Sequence, residues 1–179
     1  MLLSLIRNRR SIRKFEDRPV EREKVDILVE AMLRSPSSRG LNPWKFIVLE
    51  EKASLKALSE SKPHGSSFLK HAPLAIVVCG DAEAADTWVE DTSIAATYIQ
   101  LTAQSLGLGS CWVQIRERRH SDVATARDFV AKRLDIPEGL CVESIIAVGY
   151  PDETKPPHDR EKLQWDKVRH NRYGRLYGE

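Results

Sequence analysis

Residues 93–115 read SIAATYIQLTAQSL, then GLG, then SCWVQI: a helix, its stop and a strand, in that order. The first part belongs to a helical pattern running from Ala84 to Leu106 that is apolar or small on nearly every side. A helix apolar all round is buried, within a core or between subunits. Gly107-Leu108-Gly109 is a fitting terminator, and Ser110 to Ile115 reads as a strand. The glycines superficially resemble a dinucleotide fingerprint, but that fingerprint follows a strand, opens a helix and brings a third glycine on schedule. Here they follow a helix and precede a strand, so they read as a helix cap leading into a sheet.

The same punctuation organises the rest of the chain. Upstream, residues 2–7 suit a turn or two of helix. Glu21 to Arg34 has acids first and Arg last, with Val25, Leu28, Val29 and Met32 or Leu33 on one face, an amphipathic helix in register with its dipole. Ser35 to Pro43 is turn chemistry throughout. Strands are expected at Trp44–Leu49 and Leu74–Cys79, with a helix at about Ala53–Glu60 between them. Downstream, a helix at Ser121–Leu134 and a strand at Glu143–Tyr150 complete the pattern. Beyond Pro151 the character changes to Pro156-Pro157 and mixed charges, with Trp165, Val168, Tyr173, Leu176 and Tyr177 scattered through them. Such a tail cannot enclose a core, so it is either disordered or laid along something else, and its apolar anchors favour the second.

The totals bound the function. A chain of 179 residues suits one α/β domain of ordinary size able to build its own core. With 28 Lys and Arg against 26 Asp and Glu, the net charge of +2 gives no bulk reason to expect nucleic acid, and 7% aromatic residues make no stacking platform. Cys79, Cys111 and Cys141 are an odd count, far apart and without a Cys-x-x-Cys, which points to a reducing compartment. No apolar run approaches the roughly 20 residues of a membrane helix. MLLSLIRNRR places its apolar residues before its basic ones, the reverse of a signal peptide. A cytoplasmic protein with no membrane partner is expected.

The most unusual local feature is Arg9-Arg10-Ser11-Ile12-Arg13-Lys14-Phe15, part of a cluster with six cations in the twelve residues 7–18. If extended, it puts Arg9, Ser11, Arg13 and Phe15 on one face, a thin cationic track about 13 Å long between the two arginines. Guanidinium forks grip phosphate bidentately, so a phosphate-bearing cofactor fits the track better than a compact anion. A solvated basic segment and a nucleic-acid arm are the competing readings. Other chemistries are poorly supported. His64, His71, His120, His158 and His170 show no ligand spacing, so no metal is expected, and no Gly-x-Ser-x-Gly elbow is present. Asp86, Glu90 and Asp91 open the long helix, where the dipole alone accounts for them. Cys111 reads as an inert strand-interior thiol.

Three separated elements coincide: the Arg9–Phe15 track; Pro36-Ser37-Ser38 with Asn42-Pro43-Trp44-Lys45-Phe46-Ile47-Val48; and Gly107-Leu108-Gly109-Ser110-Cys111-Trp112. In this order and at these separations the chain resembles the nitroreductase family of FMN-dependent oxidoreductases, and the closing His170-Asn171-Arg172-Tyr173-Gly174 is similar to that family's C-terminal signature. The resemblance implies an α+β fold with a mainly antiparallel central sheet flanked by helices, a homodimer, and FMN bound where the subunits meet. It divides the chain into an FMN-binding domain, residues 1–151, and a C-terminal extension, residues 152–179, wrapping the partner subunit. It implies that Arg9, Arg10 and Ser11 hold the FMN phosphate and ribityl, with Arg13 at the pyrimidine end of the ring. Pro36, Ser37 and Ser38 would come from the partner, Asn42 would bond the flavin's polar edge, and the backbone of Trp112, Val113 and Gln114 would lie near N5. Arg160 sits where the family often places another phosphate ligand.

Two departures stand out. Gly40-Leu41-Asn42 replaces a common Asn-x-Gln, and Ile115 followed by Arg116-Glu117-Arg118-Arg119 stands where the family usually has glycine, giving a bulkier, charged rim to the substrate pocket. The implied activity is hydride transfer from NADH or NADPH through FMN to a small organic acceptor by a ping-pong mechanism, with no side chain obliged to act as acid or base. An FMN-binding carrier or sensor dimer with little turnover is the alternative, and a cofactor-free basic-arm module a second.

Overall fold

The structure, a computed structural model, describes residues 2–178. Its centre is a four-stranded sheet of β1 (Trp44–Leu49), β2 (Leu74–Asp81), β3 (Gly109–Gln114) and β4 (Leu140–Gly149), in the order β1-β2-β4-β3 with every pair antiparallel. The class is therefore α+β, as the family resemblance implies, and not the α/β that length alone favours. β2 and β4 occupy the centre with both faces covered, so Leu74–Cys79 and Ile145–Val148 are apolar throughout, while Glu143 and Ser144 are buried polar residues of β4.

On one face, α2 (Arg22–Leu33) and α4 (Trp88–Ser105) bring Val25, Leu28, Met32, Ala96, Ile99 and Ala103 against Ile76, Val78, Ile146 and Val148. On the other, α3 (Lys52–Leu58) and α5 (Ala126–Arg133) bring Leu55, Leu58 and Val130 against Val77, Ile145 and Ala147, joined by Ile12 and Phe15. A short N-terminal helix, α1 (Leu2–Asn8), lies against α4. Among the described residues no helix is long and apolar enough to cross a membrane.

Several boundaries differ from the sequence expectation. α4 begins at Trp88 instead of Ala84 because Asp81 Oδ1 accepts the Glu83 and Ala84 N–H groups, both at 3.0 Å, and holds that segment in a turn. α5 begins at Ala126 instead of Ser121, where Thr125 caps it by accepting the Asp128 N–H at 3.1 Å. α3 spans Lys52–Leu58 against the expected Ala53–Glu60, and β4 starts three residues earlier than Glu143, at Leu140. α4 is also not buried on all sides within one chain, since Ile94 and Tyr98 are exposed.

The tail carries short 3-10 turns and a small antiparallel hairpin, β5 (Arg169–His170) with β6 (Arg172–Leu176). Its start is tied to the body, where the Asp152 N–H donates to Lys14 O at 3.0 Å. Beyond Pro156 nearly every residue is exposed, including Trp165, Tyr173 and Tyr177.

Candidate functional site

The cationic track is an addition to the sheet edge. Ser11 bridges Ser110 in parallel, the Ile12 N–H donates to Ser110 O at 3.0 Å, and Phe15 bridges Pro151. The two glycines after α4 have separate reasons. Gly107 takes a left-handed φ of 74° that closes the helix, whereas a Cβ on Gly109 would lie 2.8 Å from Ile12 Cβ. Gly109 is therefore what lets the track reach β3. The strict alternation fails in one respect: Phe15 is buried with Ile12 in the core and does not share a face with Arg9, Ser11 and Arg13.

A carboxyl that sequence reading misses fixes the track. Glu153 Oε1 accepts the Arg13 N–H at 2.5 Å and the Lys14 N–H at 3.2 Å, and pairs with Lys155 Nζ at 3.1 Å. These bonds, the Arg13 N–H first, hold its carboxyl below the usual range. Lys155 Nζ in turn donates to Ser11 O at 2.6 Å, and an Arg10 guanidinium nitrogen donates to Pro156 O. The result is a cavity of about 310 Å³ lined by Arg9, Arg10, Ser11, Arg13, Lys155 and His158. Among the described residues no ion pair joins Arg9, Arg10 or Arg13 to a carboxylate. Arg18, by contrast, is spent on structure: it lies 3.9 Å from the Tyr150 ring centroid and pairs with Glu21 at 2.6 Å.

Arg160 is not brought to this cavity. It stacks on Trp165 in the exposed tail, 5.4 Å from the ring centroid, and Lys155 and His158 are the tail residues that line the cavity instead. The sequence signal for them was weak, an alternating Glu153-x-Lys155 in a stretch without periodicity.

Residues 35–43 form a self-bonded loop. The Ser37 hydroxyl donates to Asn42 Oδ1 at 2.7 Å, and the Asn42 N–H returns to Ser37 Oγ at 2.9 Å. Arg39 and Asn42 both take left-handed φ, 54° and 49°. Asp91 pins this loop to α4: its Oδ1 accepts the Ser38 N–H at 2.9 Å and its Oδ2 the Thr87 hydroxyl at 3.1 Å, with 2% of the residue exposed. The helix dipole thus does not exhaust the role of Asp91. Pro36 is exposed, Ser37 and Ser38 half-buried.

At the end of β3, Val113 points into the core, while Trp112 and Gln114 are half-buried. Trp112 Nε1 donates to Gln114 Oε1 at 2.8 Å, and Gln114 Nε2 donates to Arg116 O at 3.1 Å and Glu143 Oε1 at 3.3 Å. Glu143 is the extra residue of a bulge in β4: Val78 pairs Ser144 and Cys79 pairs Val142, leaving it unpaired against β2. Its carbonyl accepts both the Ile115 and Arg116 N–H groups, at 3.1 and 3.0 Å. Its side chain is buried, with no hydrogen-bond partner for Oε2 among the described residues, and burial pushes its pKa up against the opposing pull of Gln114 and Arg116. Bulges beside functional sites re-aim side chains in this way.

Cys111 is buried and its thiol pKa raised by burial, in keeping with an inert side chain, and no group of three metal-ligating residues occurs among the described residues.

Comparison with known proteins agrees with this fold. The model of the nitroreductase family matches residues 6–63 and 51–150. The chain is 46% identical to an FMN-dependent nitroreductase from Clostridium difficile R20291, covering 96% of this chain and 99% of that one, with a TM-score of 0.94. It is 36% identical to a candidate NADH dehydrogenase/NAD(P)H nitroreductase of Methanothermobacter thermautotrophicus, over 93% of this chain and 85% of that protein. It is also 25% identical, over 91% of its length and 95% of the other's, to an iodotyrosine deiodinase of Thermotoga neapolitana. The likeness extends over nearly the whole chain and its antiparallel-sheet fold, and the chain belongs to the nitroreductase family.

Proposed function

We propose that this protein is an NAD(P)H-dependent FMN oxidoreductase working as a homodimer in the cytoplasm. The observation that carries the reading is the cavity of Arg9, Arg10, Ser11 and Arg13, whose guanidinium groups have no carboxylate partner among the described residues. Cations held together by backbone bonds and left unpaired are a donor set suited to a phosphate ester. The FMN dependence of the C. difficile relative supports the same assignment.

Arg9, Arg10 and Ser11 bind the phosphate and ribityl; Lys155, paired with Glu153 at 3.1 Å, lines the same cavity, and Arg160 lies apart from it in this chain. Arg13 is a preorganised donor for the pyrimidine end, where reduction accumulates negative charge. The chemistry that FMN supplies when bound is two-electron: hydride taken from NADH or NADPH at N5 and passed, in alternating ping-pong halves, to a nitroaromatic, quinone or similar small organic acceptor. Trp112, Val113 and Gln114 offer their backbone at that edge, held by the Gln114 bonds to Arg116 and Glu143. Pro36, Ser37, Ser38 and Asn42 cover the ring from the partner.

The dimer is supported by apolar surface that one chain leaves open. Leu2, Leu5, Tyr98 and Leu101 line a groove of about 370 Å³ between α1 and α4, and Leu3, Ile6 and Ile94 are exposed beside it. Of the expected extension, residues 152–179, the start through His158 stays on its own chain and residue 179 lies outside the described residues; we place residues 159–178 on the partner subunit, which gives Trp165, Tyr173 and Tyr177 a surface to cover.

The test is reconstitution. The full chain mixed with FMN should elute as a yellow dimer, bleach with NADH or NADPH without oxygen, and recover its colour with a quinone. Arg9→Ala and Arg13→Ala should each weaken FMN retention while the dimer stays folded. Bound flavin that no reduced nucleotide bleaches would leave a carrier, and no flavin binding at all would sink the proposal.

A further inference from the structure

The segment Arg116-Glu117-Arg118-Arg119 plays no part in gripping FMN in the reading above, and the fold gives it a separate cavity of about 570 Å³. Arg116, Arg118, Arg119 and Arg127 line it together with the indole of Trp88, and it shares no residue with the Arg9–Arg13 cavity.

The charges there do not cancel. Two carboxylates, Glu117 and Asp128, line the cavity against the four arginines, Asp128 also accepting the Thr125 hydroxyl at 2.6 Å at the α5 cap. Arg116 lies 3.9 Å from Glu117 and 4.0 Å from the buried Glu143, beyond hydrogen-bond reach of both. Among the described residues the Arg118 and Arg127 side chains bond only to backbone carbonyls, Glu117 O at 3.3 Å and Leu140 O at 3.4 Å. Among the described residues neither these two nor Arg119 is paired with a carboxylate. Lys62 adds to the excess: its amine pKa is pulled down by burial first and by neighbouring Arg118 second.

Nor is this a loose solvated loop. The Arg118 N–H donates to Ile115 O at 3.1 Å, the Ala126 N–H donates back to Arg118 O at 2.8 Å, and Arg119 bridges Thr125. His120 stacks on Phe129 with 4.1 Å between centroids. The guanidinium groups therefore project from a fixed frame, and Arg116 lies over the Trp88 ring at 5.8 Å. The volume falls within the usual range for a small-molecule site, about 300–1,000 Å³.

We propose that this cavity binds a phosphomonoester carried on an aromatic or nucleoside body, the arginines taking the dianion and Trp88 lying against the ring. As a substrate subsite it rests on the oxidoreductase reading; as an anion site it does not. The phosphate has two possible sources, the 2′-phosphate of NADPH or a phosphorylated aromatic acceptor.

The experiment is calorimetric titration of the flavin-loaded full chain, at low salt, with phenyl phosphate and with adenosine 2′,5′-bisphosphate. At least one probe should bind saturably, and the Arg118→Ala/Arg119→Ala double variant should bind it about tenfold or more weakly with an unchanged circular dichroism spectrum. If the bisphosphate binds and the double variant raises the KM for NADPH but not for NADH, the source is the donor. If only phenyl phosphate binds, the source is the acceptor. No saturable binding of either probe, or equal affinity in wild type and double variant, overturns the proposal. Failure to load flavin strikes the oxidoreductase reading alone, and the same titration on flavin-free Arg9→Ala/Arg13→Ala protein then decides the anion site.

Discussion

The approach of the cationic track to β3 predicts a specific effect of one methyl group. In Gly109→Ala the new Cβ would sit 2.8 Å from Ile12 Cβ and 2.9 Å from both of its γ carbons. Carbon pairs settle at about 3.5–4.0 Å, so the track must retreat by about 1 Å. Ile12 cannot swing aside, being β-branched and packed in the core. Overpacking of this kind costs about 1–3 kcal/mol. Gly109 takes no left-handed φ, so alanine returns about 0.4–1 kcal/mol by restricting the unfolded chain. The net loss is about 0–2.6 kcal/mol, a fall in Tm of up to roughly 10 °C for a domain of this size. Flavin affinity should suffer more, because Ser11 and Arg13 flank Ile12. A 1 Å retreat breaks at least one charge-assisted hydrogen bond, worth about 1.5–3 kcal/mol, or roughly ten- to a hundredfold in Kd. Gly107→Ala is the control: it strains a left-handed residue but meets no atom within 4 Å, so it should lose comparable stability and keep its flavin. Fluorescence-quenching titrations with FMN and thermal melts of the flavin-free proteins give both quantities. Wild-type flavin affinity in Gly109→Ala, or an equal loss in Gly107→Ala, refutes the reasoning.

Asp91→Ala strands the Ser38 N–H and should cost about 1–3 kcal/mol in urea unfolding, with the 35–43 loop becoming the first site of proteolysis. Glu143 has a raised pKa in the fold, so the folded state binds its proton more tightly than the unfolded chain does; stability is therefore greatest below the ordinary glutamate range near 4.5 and falls as pH rises from there to the folded pKa. Glu143→Gln keeps the acceptor for Gln114 and should melt higher than wild type at neutral pH, the gap closing toward pH 4; a constant gap across pH would contradict it. Deleting residues 157–179 should shift the protein toward monomer in analytical ultracentrifugation while leaving the melting of the monomer unchanged, since those residues contribute nothing to either core.

Where neighbours in sequence determined the outcome, the sequence was legible. β1 falls on the expected Trp44–Leu49 because Pro43 precedes it and the acidic Glu50-Glu51 pair follows the end of the β-rich run. The stop at Gly107 needed only a glycine after an apolar helix. Features set by distant partners were not legible. The Glu143 bulge exists only in register with β2, so no local pattern announces it. Glu153 serves Arg13 and Lys14 from 140 and 139 residues away. Asp91 had a local signal, the i, i+4 spacing from Thr87, but the helix dipole already explained a carboxyl there and left its bond to Ser38 unsuspected.

Counting charges also misled in an instructive direction. The net charge of +2 is small because 26 acidic residues nearly offset 28 basic ones, and the total does not say which cations are paired, as Arg22 is with Asp26, Arg34 with Glu30 and Lys52 with Asp17. Such exposed pairs add little stability, about 0–1 kcal/mol each. The cations that matter are those the fold fixes and leaves unpaired. Lys14 and Arg13 are held through their backbone by Glu153, and Arg118 through its backbone by Ile115 and Ala126, so the ordering cost of their main chain is met by folding and not by a ligand. A solvated basic face meets neither condition, since its side chains and its backbone are both free to move. By that criterion we propose the Arg9–Arg13 track and the Arg116–Arg119 turn as two distinct anion sites, and the salt dependence of binding should differ between them only through the number of phosphate charges each one neutralises.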